Sequence, residues 1–175
     1  MIRTGKYYKD KYELVYFGKD DFQSVKNFVI EEQNKLNNKE YFSIDELDDV
    51  LNIFLSFGNA TIGLTYKNEI YALLCIEITK INYLNLDFLN DKKSGWFGYS
   101  LVKEGYREKG FSSFLFKEIK KVIDENDVDY SFIAVHPNNE AVIKFYKNRG
   151  FIEYKILPLY GTTRLVLLKN EKEKI

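Results

Sequence analysis

Two stretches of the chain combine residue types and spacings that can do chemistry. The first is Val102-Lys103-Glu104-Gly105-Tyr106-Arg107-Glu108-Lys109-Gly110-Phe111-Ser112-Ser113. Here a strand ends, a polar loop turns and a helix begins. The first turn of a helix carries unpaired amide N–H groups at the positive end of its dipole, an arrangement that suits a diphosphate. Arg107 and Lys109 add positive charge, and Gly110 lets a ligand approach the backbone closely. Taken alone, the pattern fits an ordinary strand–loop–helix connection equally well. It lacks the Gly-Lys-Ser/Thr ending of a Walker A loop and the three glycines of a dinucleotide fingerprint. The second stretch runs from Val135 through His136-Pro137-Asn138-Asn139 to Tyr146 and Gly150-Phe151. Asn139 can cap a helix through its side chain. Tyr146 offers an O–H that can give a proton to a leaving group. In a chain with 14 tyrosines it also reads as one more residue of an amphipathic helix.

Together the two stretches resemble the GNAT acyltransferase family. The family's acetyl-CoA loop reads Arg or Gln, two residues, Gly, one residue, then Gly or Ala; Arg107, Gly110 and Ser112 stand at those positions, with Ser112 a small departure. The family's second signature reads Val, three residues, Asn, six residues, Tyr, three residues, Gly-Phe, and Val135, Asn139, Tyr146 and Gly150-Phe151 keep every spacing. The resemblance covers about residues 96–154. It implies an α/β domain of the GNAT acyl-CoA N-acyltransferase type over residues 1–175, with a mixed central β-sheet of about seven strands flanked by helices. It also implies acetyl-CoA as cosubstrate, without a metal, and direct transfer of the acetyl group to a primary amine. The cofactor would lie against Leu101, Val102, Arg107, Glu108, Lys109, Gly110, Phe111, Ser112, Ser113, Asn139, Phe145 and Tyr146. The strand before the loop would carry a bulge whose freed backbone groups pair with the pantetheine arm and polarise the thioester carbonyl. Tyr146 would be the general acid toward the coenzyme A thiolate.

The base is harder to place. The family often uses a Glu on a central strand, but Trp96–Val102 contains no acid. Glu77, on the preceding strand, is the candidate chosen here, with Glu104 and Tyr99 behind it. His136 precedes Pro137 at a strand end and reads as a loop residue. Cys75 lies in an apolar run and reads as a buried thiol. The resemblance implies a small-molecule amine, a peptide N-terminus or a lysine as acceptor, its site shaped by about residues 21–39, 41–57 and 80–94. A rival expectation is a catalytically inactive acyl-CoA-binding or regulatory module on the same fold, motivated by Ser112 and the missing central-strand acid.

These residues need elements to hold them. A strand is expected over 11–18, and Asp20 or Asp21 then opens a helix to about Leu36. Ser43 with Glu46 forms a capping-box pattern for a helix with the apolar stripe Leu47, Val50, Leu51 and Phe54. Residues 60–66 and 70–78 read as a hairpin. Residues 80–93 read as an arm or loop, or equally as a longer hairpin leg. Then come a strand over 96–102, a helix over 110–124, a strand over 130–135 and a helix over 139–148. Two final strands, 151–157 and 162–168, are joined around Pro158–Gly161. Strand–helix alternation of this kind points to one α/β domain.

Composition bounds the rest. The 175 residues carry 26 basic and 26 acidic side chains, so no charge footprint for nucleic acid is evident. One Cys and one His exclude an intrachain disulfide and a Cys/His zinc site. No apolar stretch is long enough to span a bilayer, so the expected setting is cytoplasmic, without a membrane partner. The terminal strands are the candidate surface for a homodimer.

Overall fold

A computed structural model describes residues 1–41, 46–159 and 162–173. One sheet of eight strands forms its centre, in the order β1-β2-β3-β4-β5-β6-β8-β7. The strands are β1 (Ile2–Tyr8), β2 (Tyr12–Phe17), β3 (Ala60–Tyr66), β4 (Glu69–Thr79), β5 (Ser94–Val102), β6 (Tyr130–Val135), β7 (Ile152–Leu159) and β8 (Thr162–Asn170). Four helices accompany them: α1 (Phe22–Asn34), α2 (Leu47–Phe54), α3 (Phe111–Glu125) and α4 (Glu140–Lys147). Strands β5 and β6 run parallel and the other neighbouring pairs antiparallel. A parallel pair needs a crossover rather than a hairpin, and α3 supplies it.

The sheet is mixed and flanked by helices as expected, with eight strands in place of about seven. The additional strand is β1. Its sequence, Ile-Arg-Thr-Gly-Lys-Tyr-Tyr, has no apolar alternation, and five of its seven residues are exposed. It forms because it pairs with β2 at the sheet edge, where one side needs no burial. Residues 80–93 form an arm: β4 stops at Thr79, and a short 3-10 turn over Asp87–Leu89 precedes β5. Asp21 sits at the N-cap of α1 without bonding the helix amides; its carboxylate accepts the Gly18 N–H (2.9 Å) and pairs with the N-terminal ammonium. The expected Ser43 cap lies outside the described residues, and the helix begins at Leu47.

Strands β2, β4 and β5 each feed two cores. On one face Leu14, Ile62, Leu74 and Ile76 pack with Leu115 and Ile119 of α3 and Tyr146 of α4. On the other, Val15, Leu73 and Cys75 pack with Val25 and Val29 of α1 and with Leu51 and Phe54 of α2. Successive side chains of a strand point to opposite faces, which is why Leu73, Leu74, Cys75 and Ile76 alternate between the two cores. Among the described residues no helix is long and apolar enough to cross a membrane.

Candidate active site

The site begins with a parity break in β5. Phe97 belongs to the α3 core, yet Tyr99 and Leu101, two and four residues on, belong to the α1/α2 core. In a regular strand all three would share a face. The register with β4 shows the cause: Leu74 pairs with Ser100 and Ile76 with Phe97, so β5 carries one extra residue at Gly98-Tyr99. This is the β-bulge that the resemblance implied. Gly98 is needed there for space. A Cβ at this position would lie 2.1 Å from the ring of Phe54, which packs directly over the backbone.

The bulge opens the sheet. Strands β5 and β6 pair from Ser94 and Tyr130 to Phe97 and Ile133 and no further. Beyond that point β5 runs on to Val102 and β6 to Val135 without a ladder between them. A cavity of about 420 Å³ fills the gap. Its walls include Leu101 and Val102 of β5, Arg107, Glu108 and Ser112 beyond it, and Asn139, Phe145 and Tyr146 from the start and face of α4.

At one end of the cavity lies the N-terminus of α3. Gly110 is its cap at φ 87°, and the first intrahelical bond is Phe114 N–H to the Gly110 carbonyl (3.0 Å). The amides of Phe111, Ser112 and Ser113 therefore have no acceptor within the helix. The loop before it is held from two sides. Glu32 of α1 is 1% exposed; one carboxylate oxygen accepts the Glu104 N–H (2.7 Å) and the other the Lys35 ammonium (2.8 Å). From β1, the Tyr8 hydroxyl donates to the Lys109 carbonyl (2.7 Å). Glu108, with φ 61°, bends the loop through a left-handed conformation that side chains rarely adopt.

The expected cofactor-site residues do not all reach the cavity. Lys109 turns back, its ammonium donating to the Gly105 carbonyl (2.6 Å) and lying 4.8 Å above the Tyr106 ring. The Phe111 ring is buried in the core against Tyr8 and Tyr12, which leaves only its backbone toward a ligand. Ser113 accepts a hydrogen bond from Arg149 (2.8 Å), whose guanidinium covers the Phe145 ring at 3.5 Å. Asn139 caps α4 as expected, accepting the Val142 N–H at 3.4 Å.

Tyr146 is 1% exposed and lines the cavity. Its hydroxyl has no hydrogen-bond partner among the described residues. Burial, above all, holds the phenol far above its ordinary pKa, with nearby Ser100 pulling the other way. Buried hydroxyls are normally paired. An orphaned O–H on a residue that lines a cleft fits a ligand that brings its own acceptor, as a sulfur gaining thiolate charge would.

Glu77 lines a second cavity, of about 480 Å³, which shares Tyr41, Gly98 and Ala134 with the first. The acid and base candidates thus stand in adjoining chambers that meet at the bulge. The Tyr83 hydroxyl donates to Glu77 Oε1 at 2.7 Å. His136 lines neither chamber: its Nδ1 accepts the Asn138 N–H (3.2 Å) and its ring stacks on Tyr41 at 4.9 Å. Cys75 is fully buried, and burial pushes its thiol up to about 12.

Comparison with known proteins decides the family. The sequence model of the acetyltransferase (GNAT) family matches residues 22–151, most of the chain. The chain belongs to the GNAT family. It is 29% identical over 119 residues to N-alpha-acetyltransferase 60 of Xenopus tropicalis, a match covering 61% of this chain and 49% of that relative. The chain therefore spans about half the length of the relative. A GNAT acetyltransferase from Staphylococcus aureus Mu50 superposes with a TM-score of 0.70 at 15% identity, covering 92% of this chain and 99% of that one. The NatC complex bound to Gag peptide and CoA contains a chain with a TM-score of 0.64 at 18% identity, covering 90% and 98%. At these identities the two structures show a shared GNAT fold.

Tyr41, Glu32 and Tyr8 were not legible as site residues, since each acts through a partner 72 or more positions away. Gly98 could have been found: an isolated glycine inside a strand marks a bulge or a close approach.

Proposed function

We propose that the chain is an acetyl-CoA-dependent N-acetyltransferase that acetylates a primary amine on a small molecule or a peptide. The observation that carries this reading is the orphaned Tyr146 hydroxyl in the β5/β6 cleft, one end of which opens on the unpaired amides of α3. When bound, acetyl-CoA supplies a thioester carbonyl open to attack by an amine. Those amides and Arg107 hold its phosphate anions. The β6-facing backbone of β5 beyond Phe97 pairs with the amide-bearing arm, as an added strand would. The bulge at Gly98-Tyr99, where the two chambers meet, would offer its freed backbone groups to polarise the thioester carbonyl.

Glu77 takes a proton from the incoming ammonium at its carboxylate, so that the amine attacks as the free base. Tyr146 gives its hydroxyl proton to the departing sulfur; the attacking nitrogen sheds a second proton on becoming the amide nitrogen, and an equivalent proton restores the phenol. A phenol that burial keeps protonated has a proton to give throughout the neutral range. The peptide-bound NatC neighbour and the N-alpha-acetyltransferase relative make a peptide N-terminus one natural acceptor.

Calorimetric titration with acetyl-CoA tests the cofactor half of this reading. The Gly110→Trp variant is the control, because Gly110 has a positive φ and a Cβ there would lie 2.5 Å from the Tyr8 hydroxyl. Saturable binding by the native chain and none by the variant is expected. Absence of binding by the native chain would overturn the proposal.

A further inference from the structure

The second chamber carries a statement about the acceptor itself, and it rests on the acetyltransferase reading. Its walls divide into two chemistries. One is apolar: Val50, Ile53 and Phe54 of α2, Leu84 of the arm, Trp96 of β5 and Leu159 of β7. The other is anionic. Glu46 and Asp49 are exposed at the start of α2, and Glu77 is half-buried on β4. Among the described lining residues three carboxylates stand against one guanidinium, that of Arg164, which is itself engaged with the Tyr41 carbonyl (3.4 Å). The exposed pair can draw in a cation, and Glu77 can receive it deeper in.

The geometry around Glu77 is fixed. Tyr83 donates to one carboxylate oxygen and meets the Trp96 indole edge-on at 5.6 Å, and Trp96 stacks on Phe132 at 4.7 Å. An ammonium paired with Glu77 therefore has its substituent against a rigid aromatic wall. A compact polar substituent leaves that wall uncovered, and one rich in hydroxyls is desolvated against it. The volume, about 480 Å³, lies in the range of sites that enclose a whole small ligand rather than a methyl stub.

We infer that this chamber prefers primary amines carried on a bulky apolar or aromatic body to polyamines and amino sugars. The same chemistry can come from a free arylalkylamine or from a peptide whose first side chain is large and apolar. Tyr83 acts as a positioning residue for Glu77.

Trp96 is the only tryptophan of the chain, so its fluorescence reports directly on the chamber. The native protein, with saturating coenzyme A present, is titrated with 2-phenylethylamine, with 2-phenylethanol, which has the body without the charge, and with putrescine, which has the charge without the body. Peptides beginning with Leu or with Ser form a second arm. The inference expects saturation by 2-phenylethylamine, by the Leu peptide or by both, at concentrations about tenfold or more below those needed for 2-phenylethanol, putrescine and the Ser peptide. Whichever of the two apolar amines binds more tightly identifies the source. Glu77→Gln, checked for an unchanged melting temperature, should bring 2-phenylethylamine down to the level of 2-phenylethanol. Putrescine or the Ser peptide matching the apolar amines, or no saturable change with any ligand, would overturn the inference. Acetyl transfer is assayed separately. Apolar-amine binding without transfer would sink the acetyltransferase reading alone, whereas transfer to putrescine in preference to apolar amines would sink the inference alone.

Discussion

Replacing Tyr146 by Phe removes a single oxygen, and the two consequences have opposite signs. The ring is seated edge-on against Phe97, Phe116 and Phe151, with centroids 5.5, 5.9 and 5.1 Å away, so a phenyl group keeps its place. The lost hydroxyl is buried without a partner. Leaving such a donor unpaired costs about 1–3 kcal/mol, and deleting it returns part of that. A gain of about 1 kcal/mol raises the melting temperature of a chain this size by roughly 2–4 °C. Catalysis moves the other way: loss of a positioned acid lowers kcat by about 10²–10⁴-fold, with acetyl-CoA affinity nearly unchanged. Thermal unfolding and release of the coenzyme A thiol measure the two effects on one preparation. Because burial holds the phenol above its ordinary value of 10.0, the native enzyme should show no descending kcat limb from this group below that pH. A melting temperature that falls while kcat holds would refute the reasoning and make Tyr146 a packing residue.

Further outcomes follow from the same geometry. Gly98→Ala sets a Cβ against Phe54 at 2.1 Å; overpacking of this kind costs about 1–3 kcal/mol, and Phe54→Leu added to it should recover part of both stability and activity, which thermal unfolding and the thiol assay will show. Glu32→Ala removes the acceptor of the Glu104 N–H; it should raise the KM for acetyl-CoA several-fold while kcat stays close to native, at a stability cost of about 1–3 kcal/mol seen by denaturant titration. Cys75 has its pKa raised by burial from 9.0 to about 12, so the folded chain holds the proton more tightly than the unfolded one. Stability from this group is complete below pH 9 and lost as pH rises toward 12, by about 1.4 kcal/mol per unit. Cys75→Ala should flatten alkaline unfolding in that window.

How far the sequence led depends on how local each feature is. The helix behind Gly110, the Asn139 cap and the Tyr146 position are set by neighbours within a few residues, and all three stand where the spacing put them. The bulge came from family resemblance, but its cause, the Phe54 ring over Gly98, joins residues 44 positions apart that no local pattern connects. Strand β1 escaped notice because an exposed edge strand needs no alternation of apolar residues. Phe111 and Lys109 sit within the phosphate motif, yet one ring is taken up by the aromatic core and one ammonium by a loop carbonyl. Spacing marks the backbone of such a loop better than the direction of its side chains. Glu77 was chosen for want of an acid on β5, and the structure brings its chamber against that of Tyr146.

The most direct test of the central claim is a paired assay on the native chain. Acetyl-CoA is supplied with a panel of apolar, polar and peptide amines, and free thiol and acetylated amine are both quantified. The account predicts amine-dependent thiol release, saturable in both substrates, with one acetylated amine formed for each thiol. Bound acetyl-CoA with no amine-dependent thiol release anywhere in the panel would contradict it.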